Sequence, residues 1–303
     1  GIDMEETIFR QELQKRTAAI EELLKEYLPA EEGYQKTVIE AMNYSLMAGG
    51  KRLRPMLMQE TYRMLGGRDD IIEPFMAAIE MIHTYSLVHD DLPAMDNDEY
   101  RRGRKTTHAV YGEAMAILAG DGLLNLAFET AAKAFSLGGE PAGIGRALSL
   151  FAKKSGVEGM IGGQTADIEA ENMGGSVTEE QLLFIHEHKT AALIQSAMMV
   201  GAILAGASDA DIKKIEGIGY DIGIAFQIQD DILDVTGDAA KLGKSIGSDE
   251  KNHKVTYVTL KGLAQAQADQ QALSSRAIEQ LASFAQRNLF LEELVKNLIT
   301  RNK

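Results

Sequence analysis

The chain has 303 residues, 45% of them hydrophobic, no cysteine and a formal net charge of −14. That length and apolar content allow a sizeable core, while the acidic balance argues against a nucleic-acid partner, which needs a basic footprint. The missing thiols exclude disulfides, thiolate catalysis and Cys-based zinc sites; they fit a cytoplasmic protein, and no apolar run approaches the ~18 residues of a membrane span. No Pro/Gly/Ser-rich linker interrupts the chain, so one domain is expected over 1–303, with Gly1-Ile2-Asp3 read as an expression remnant before Met4.

Helical spacing of apolar residues runs over 5–28 and 34–48. It is followed by Gly49-Gly50-Lys51-Arg52-Leu53-Arg54-Pro55, three cations behind two glycines. This is not a phosphate-binding Walker loop, because Ser45 stands at its first glycine position and Arg52 follows the lysine. From Ile71 and Ile72 through Phe75, Met76, Ile79, Ile82, Ser86 and Leu87 the spacing predicts a one-sided helix. That helix delivers VHDDLPAMDNDEYRRGR, residues 88–104, which crowds Asp90, Asp91, Asp96, Asp98 and Glu99 ahead of Arg101 and Arg102. His83 precedes Asp90 by two helical turns and shares its face. Pro93 disfavours helix at Leu92, so LPAM is expected to loop out and return Asp96 toward the side of Asp90.

Further helical patterns cover 106–136, 177–205, 209–234 and 265–301, separated by glycine-rich breaks at 65–67, 137–141 and 173–175. Ser176 or Thr178 is expected to cap the helix that carries Lys189 and Thr190. His186-Glu187-His188 lacks the i,i+4 spacing of a metal pair, and Gly217-Ile218-Gly219 with Gly223 lies within a helix, so it is no dinucleotide fingerprint. Phe226-Gln227-Ile228-Gln229-Asp230-Asp231-Ile232-Leu233-Asp234 places Asp230 and Asp234 on one face, with Gln227 one turn earlier. Lys244 comes next, and the tail from Leu263 onward reads as structural helix. No strand-type alternation stands out. The expected architecture is an all-α bundle of ten or more helices around a central active-site cavity.

Two acid clusters in apolar helices are hard to reconcile with a solvated face, because burying lone charges is costly. A metal relieves that cost. Only oxygen ligands are offered, which suits Mg²⁺, Mn²⁺ or Ca²⁺. An EF-hand fails, since counting from Asp96 its sixth position is Arg101 and its twelfth Thr107. Mg²⁺ commonly combines few carboxylates with water and phosphate, so the clusters point to a phosphorylated ligand. Any one of the cations alone reads as surface charge, and His83 alone as a core histidine.

DDLPAMD at 90–96, RRG at 101–103, GGKRLRP at 49–55, HKT at 188–190 and FQIQDDILD at 226–234 together resemble the short-chain trans-isoprenyl diphosphate synthases, in particular the bacterial-type farnesyl diphosphate synthases. The match spans most of the chain in the family's order. The resemblance implies a homodimeric helical bundle that condenses isopentenyl diphosphate head-to-tail with dimethylallyl and then geranyl diphosphate. It implies three Mg²⁺ per site, with Mn²⁺ an alternative, held by Asp90, Asp96 and Asp230 and supported by Asp91, Asp231 and Asp234. It assigns Arg101, Lys189, Lys244 and, less directly, Lys254 to the allylic diphosphate, and Lys51, Arg54, His83 and Arg102 to isopentenyl diphosphate. Thr190 and Gln227 would stabilise the allylic cation, and Gln164 would line the cavity. Tyr85, with the small Ser86 beside it, resembles the plug that stops chain growth at farnesyl. A geranylgeranyl synthase is the nearest alternative. A class I terpene cyclase would not need a second basic site, and a non-catalytic subunit commonly loses motif aspartates that are all present here.

Overall fold

The computed structural model describes residues 4–237 and 254–301, most of them helical. The chain gathers into two compact units, one from residues 1–59 and 68–144, the other from 60–67 and 145–303.

The first unit holds α1 (Met4–Glu26), α2 (Lys36–Leu46), α4 (Ile72–Asp90), α5 (Thr107–Tyr111) and α6 (Glu113–Ala132); α3 (Leu53–Met64) and α7 (Pro141–Ser155) contribute to both units. Helix α4 is its centre. The one-sided apolar stripe expected there is buried on nearly every side, from Ile72 through Ile82, because α2 and α6 both pack on it. Helix α6 approaches closely through small residues, burying Ala116, Ala119, Gly120, Leu123, Ala127 and Ala131 at helical spacing. The sequence patterns passed over α3, α7 and the α-helix Met160–Glu171, and also a two-residue antiparallel hairpin of β1 (Tyr100–Arg101) and β2 (Arg104–Lys105). Its turn needs Arg102 at φ +53° and Gly103 at φ +74°, and so short a ladder leaves no alternation to detect.

The second unit contains α8 (Met160–Glu171), α9 (Glu179–Ile185), α10 (Ala192–Leu204), α11 (Asp209–Thr236), α12 (Tyr257–Lys261), α13 (Leu263–Ala282) and α14 (Leu289–Ile299). Thr178 caps α9 by accepting from the Gln181 N–H, while the Gln181 side chain returns to the Thr178 N–H. Between α9 and α10 the backbone widens into a π-helical turn, His186–Ala191. Helix α10 is buried from Ala192 to Ile203 and packs on α11. The single helical stretch expected over 265–301 is broken: α13 stops at Ala282, and Asn288 starts α14 by accepting from the Leu291 N–H.

Candidate active site

In the first unit α4 ends at Asp90, where the expected loop begins. The Asp96 N–H donates to the Asp90 carbonyl at 2.8 Å and the Asp98 N–H to the Asp91 carbonyl at 3.1 Å, so LPAM bulges out and the backbone at Asp96 returns beside Asp90. The two adjacent aspartates then diverge. Asp90 is half-buried, whereas Asp91 is buried and grips the Arg101 guanidinium through both oxygens, at 2.8 and 3.1 Å. Asp96 is exposed. The chain-length candidates Tyr85 and Ser86 lie on α4 one turn before these acids; Tyr85 is buried, and Ser86 donates to the His83 carbonyl.

The basic loop is organised around a cation that spacing alone could not rank. Arg52, at φ +51° and 4% exposed, donates to both Glu21 carboxylate oxygens and to the Leu46 carbonyl, and its Nη1 lies 3.6 Å from Glu80. Arg52 therefore anchors the loop. Lys51 before it is exposed. Arg54 after it has a buried Nε without a hydrogen-bond partner, near the buried Glu80. Arg102 lays its guanidinium on the same loop, donating to the Gly49 carbonyl at 3.1 Å; a Cβ on Gly50 would stand 2.7 Å from Arg102 Nη1. Burial, then the charges of Arg54, Arg102, Arg101 and Arg52, hold the His83 pKa well below its ordinary value. His83 is thus a neutral hydrogen-bonding group among arginines.

In the second unit the π turn presents Lys189 and Thr190. It fits only because two helices lack side chains where they touch it. A Cβ on Gly163 of α8 would lie 2.3 Å from the Lys189 nitrogen, and one on Gly223 of α11 would lie 2.4 Å from Ala191 Cα. Two glycines of the GxGxxxG run thus serve helix packing, Gly223 against the π turn and Gly219 against the backbone of Gln195. Lys189 donates to Asp167 Oδ2 at 2.5 Å, and Lys254 Nζ stands 4.0 Å from Asp167 Oδ1. Asp167 is 6% exposed; burial acts to raise its pKa, but Lys189 and Lys254 together hold it below the usual carboxylate range. Sequence reading stopped at Gln164 in the same GGQTAD stretch; an acid one turn past a glutamine, on a helix otherwise rich in small residues, was the available signal.

Thr190 donates to Gln227 Oε1 at 3.1 Å, and Gln227 Nε2 donates to Asp231 Oδ1 at 3.2 Å. A carboxylate only accepts, so the Gln227 amide must turn its oxygen toward Thr190. The other Asp231 oxygen accepts the Tyr257 N–H at 2.9 Å and lies 3.7 Å from His186 Nε2. Asp231 and Asp234 are buried, but the Asp230 side chain is 44% exposed. Beside it lies Arg301, which sequence reading left unassigned in the tail. Its guanidinium sits 3.8 Å over the Phe226 ring and 3.5 Å from Asp230 Oδ1. Lys244 falls outside the described residues.

The donor set fits a hard divalent cation: the candidate ligands are carboxylates, and the chain has no thiolate. Among the described residues no three His, Cys, Asp or Glu side chains converge on a metal position. The accessible candidates are Asp90 and Asp96 in the first unit and Asp230 in the second.

The polyprenyl synthetase family model matches residues 35–294. The farnesyl diphosphate synthase of Geobacillus stearothermophilus is 46% identical over 84% of this chain and 84% of its own. The geranylgeranyl diphosphate synthase of Cyanophora paradoxa is 40% identical over 96% of this chain and 95% of its own. Among solved structures, a geranyltransferase from Helicobacter pylori complexed with magnesium and isoprenyl diphosphate superposes with a TM-score of 0.81 at 33% identity, covering 97% of this chain and 95% of that one.

Proposed function

The chain belongs to the polyprenyl synthetase family, and on that premise we propose that it condenses isopentenyl diphosphate with dimethylallyl and then geranyl diphosphate to give farnesyl diphosphate. The observation that carries this reading is a division of labour repeated in both acid clusters. The first aspartate of each pair, Asp90 or Asp230, is part-exposed, while the second, Asp91 or Asp231, is buried and bonded within the protein. The first of each pair is positioned to meet a ligand, and the second holds Arg101, or Gln227 and Tyr257, in place.

When bound, Mg²⁺ or Mn²⁺, three ions per site by family analogy and held by Asp90, Asp96 and Asp230, would neutralise charge on the departing diphosphate. Lys189, Lys254 and Arg101 add fixed positive charge for the same group, with Lys244 assigned by sequence alone. Ionisation leaves an allylic cation; the Thr190 and Gln227 oxygens supply partial negative charge to it, oriented by Asp231. Arg54, Arg102 and Lys51 bind the isopentenyl diphosphate, and neutral His83 gives it a hydrogen bond without charge. The buried ring of Tyr85 supports a farnesyl rather than a longer product.

The family match enters both units, which supports reading 1–303 as one catalytic domain. A homodimer and a cytoplasmic location are further parts of the proposal; among the described residues no helix is long and apolar enough to cross a membrane. The test is incubation with Mg²⁺, isopentenyl diphosphate and each allylic diphosphate, and then product chromatography. Farnesyl diphosphate is expected; folded protein giving no condensation overturns the proposal.

A further inference from the structure

Tyr85 does not stand alone. One turn later on α4, His89 meets it edge to face, with ring centroids 5.6 Å apart and planes at 86°. Side chains on a helix lean toward its N-terminus, so His89 leans over the Tyr85 ring. His89 is itself fastened to α6. Its Nε2 lies 3.0 Å from the Ile117 carbonyl oxygen, which can only accept, so Nε2 carries the proton. Asp121 Oδ1 stands 3.7 Å from the same nitrogen. The ring reaches this position because residue 120 is glycine: a Cβ there would fall 2.1 Å from Nε2 and 2.3 Å from Cδ2. Gly120 is buried within α6, where glycine costs roughly 1 kcal/mol relative to alanine, and its φ is not in the left-handed region. Backbone conformation does not require glycine here; the histidine ring does.

We propose that Gly120 and His89 are specificity-determining residues: the Gly120 notch seats His89 against α6, and His89 prevents Tyr85 from swinging aside for a longer chain. The inference rests on the reading of Tyr85 as the stop for the growing product. A tyrosine without this support would turn away as the isoprenoid tail pressed on it. Pinned from α6, it makes the stop rigid.

The test compares product distributions, with isopentenyl diphosphate and geranyl diphosphate as substrates, for the wild type, Tyr85→Ala, His89→Ala, Gly120→Ala and the pair His89→Ala/Gly120→Ala. The readout is the ratio of longer products to farnesyl diphosphate, which is independent of total turnover. His89→Ala and Gly120→Ala are each expected to raise that ratio roughly fivefold, the scale set by loss of one edge-to-face ring contact. The pair should rise no further than either alone, because both changes remove the same support. If Tyr85→Ala lengthens the product but His89→Ala and Gly120→Ala do not, the support role is overturned and the stop stands. If Tyr85→Ala leaves the distribution unchanged, the stop itself is wrong and this inference falls with it. Should Gly120→Ala fail to fold, His89→Ala and the pair decide the matter, since in the pair the added methyl meets no ring.

Discussion

The Lys189 ammonium donates to the Asp167 carboxylate at 2.5 Å, and the second oxygen of that carboxylate faces Lys254 at 4.0 Å. Two cations proposed to bind a diphosphate are therefore held by one buried acid that bears no role of its own in the sequence motifs. Asp167→Asn keeps the shape and removes the charge, leaving two ammonium groups to repel each other. We expect kcat/KM to fall about tenfold to hundredfold, through misplacement rather than loss of the lysines, with helix content unchanged. Unaltered steady-state kinetics would show that Lys189 needs no such anchor.

The paired aspartates should separate activity from stability. Asp230→Ala removes a part-exposed acid, and turnover should drop at least 10²–10³-fold, the scale of losing one electrostatic contact to the transition state, while urea unfolding barely moves. Asp231→Ala strips the partner from the Gln227 amide and the Tyr257 N–H, so it should also cost about 1–3 kcal/mol of stability. Equal stability losses in the two variants would refute the division.

Glycines on α8 and α11 give a second contrast. Gly163→Ala and Gly223→Ala force a methyl against the backbone of the π turn, and each should destabilise by about 1–3 kcal/mol and reduce turnover by displacing Lys189 and Thr190. Gly217→Ala, on the same helix as Gly223 but with nothing within 4 Å of its added methyl, should stabilise by about 0.5–1 kcal/mol. Thermal melts of the three proteins, with kinetics alongside, check both signs.

Acid should weaken the fold through a buried histidine. Burial lowers the His186 pKa to about 4, only partly opposed by Asp167. The unfolded chain protonates this histidine near 6.5, so its contribution is complete above that pH and is lost as pH falls toward 4. The difference corresponds to about 3 kcal/mol. Chemical denaturation at pH 7 and pH 4 should show a smaller decline in His186→Phe than in the wild type; equal declines would clear this residue.

Most helices were legible because their apolar spacing is regular, and the loop after Asp90 was legible because Pro93 cannot continue a helix. The π turn was not. His186 to Ala191 has no distinctive composition, and its widening depends on Gly163 and Gly223, which lie far away in sequence. Arg52 looked like one of three equivalent cations until its burial against Glu21 and Glu80 set it apart. Asp167, His89 and Arg301 escaped for the same reason: each acts through a partner that only folding supplies.

The π turn also governs phase. Each residue added to a helix rotates the downstream side chains by about 100°, and a π turn accommodates one residue beyond the regular count. Helix α9 exposes Phe184 to solvent, whereas α10 is enclosed on all sides, so the two rows of side chains are indexed independently across Lys189 and Thr190. Between Ile185 and Ala192 the number of residues is consequently under stricter control than their identity. A one-residue deletion there would close into an unbroken helix that keeps α9 and α10 in step, yet it would remove the widened turn that brings Lys189 to Asp167.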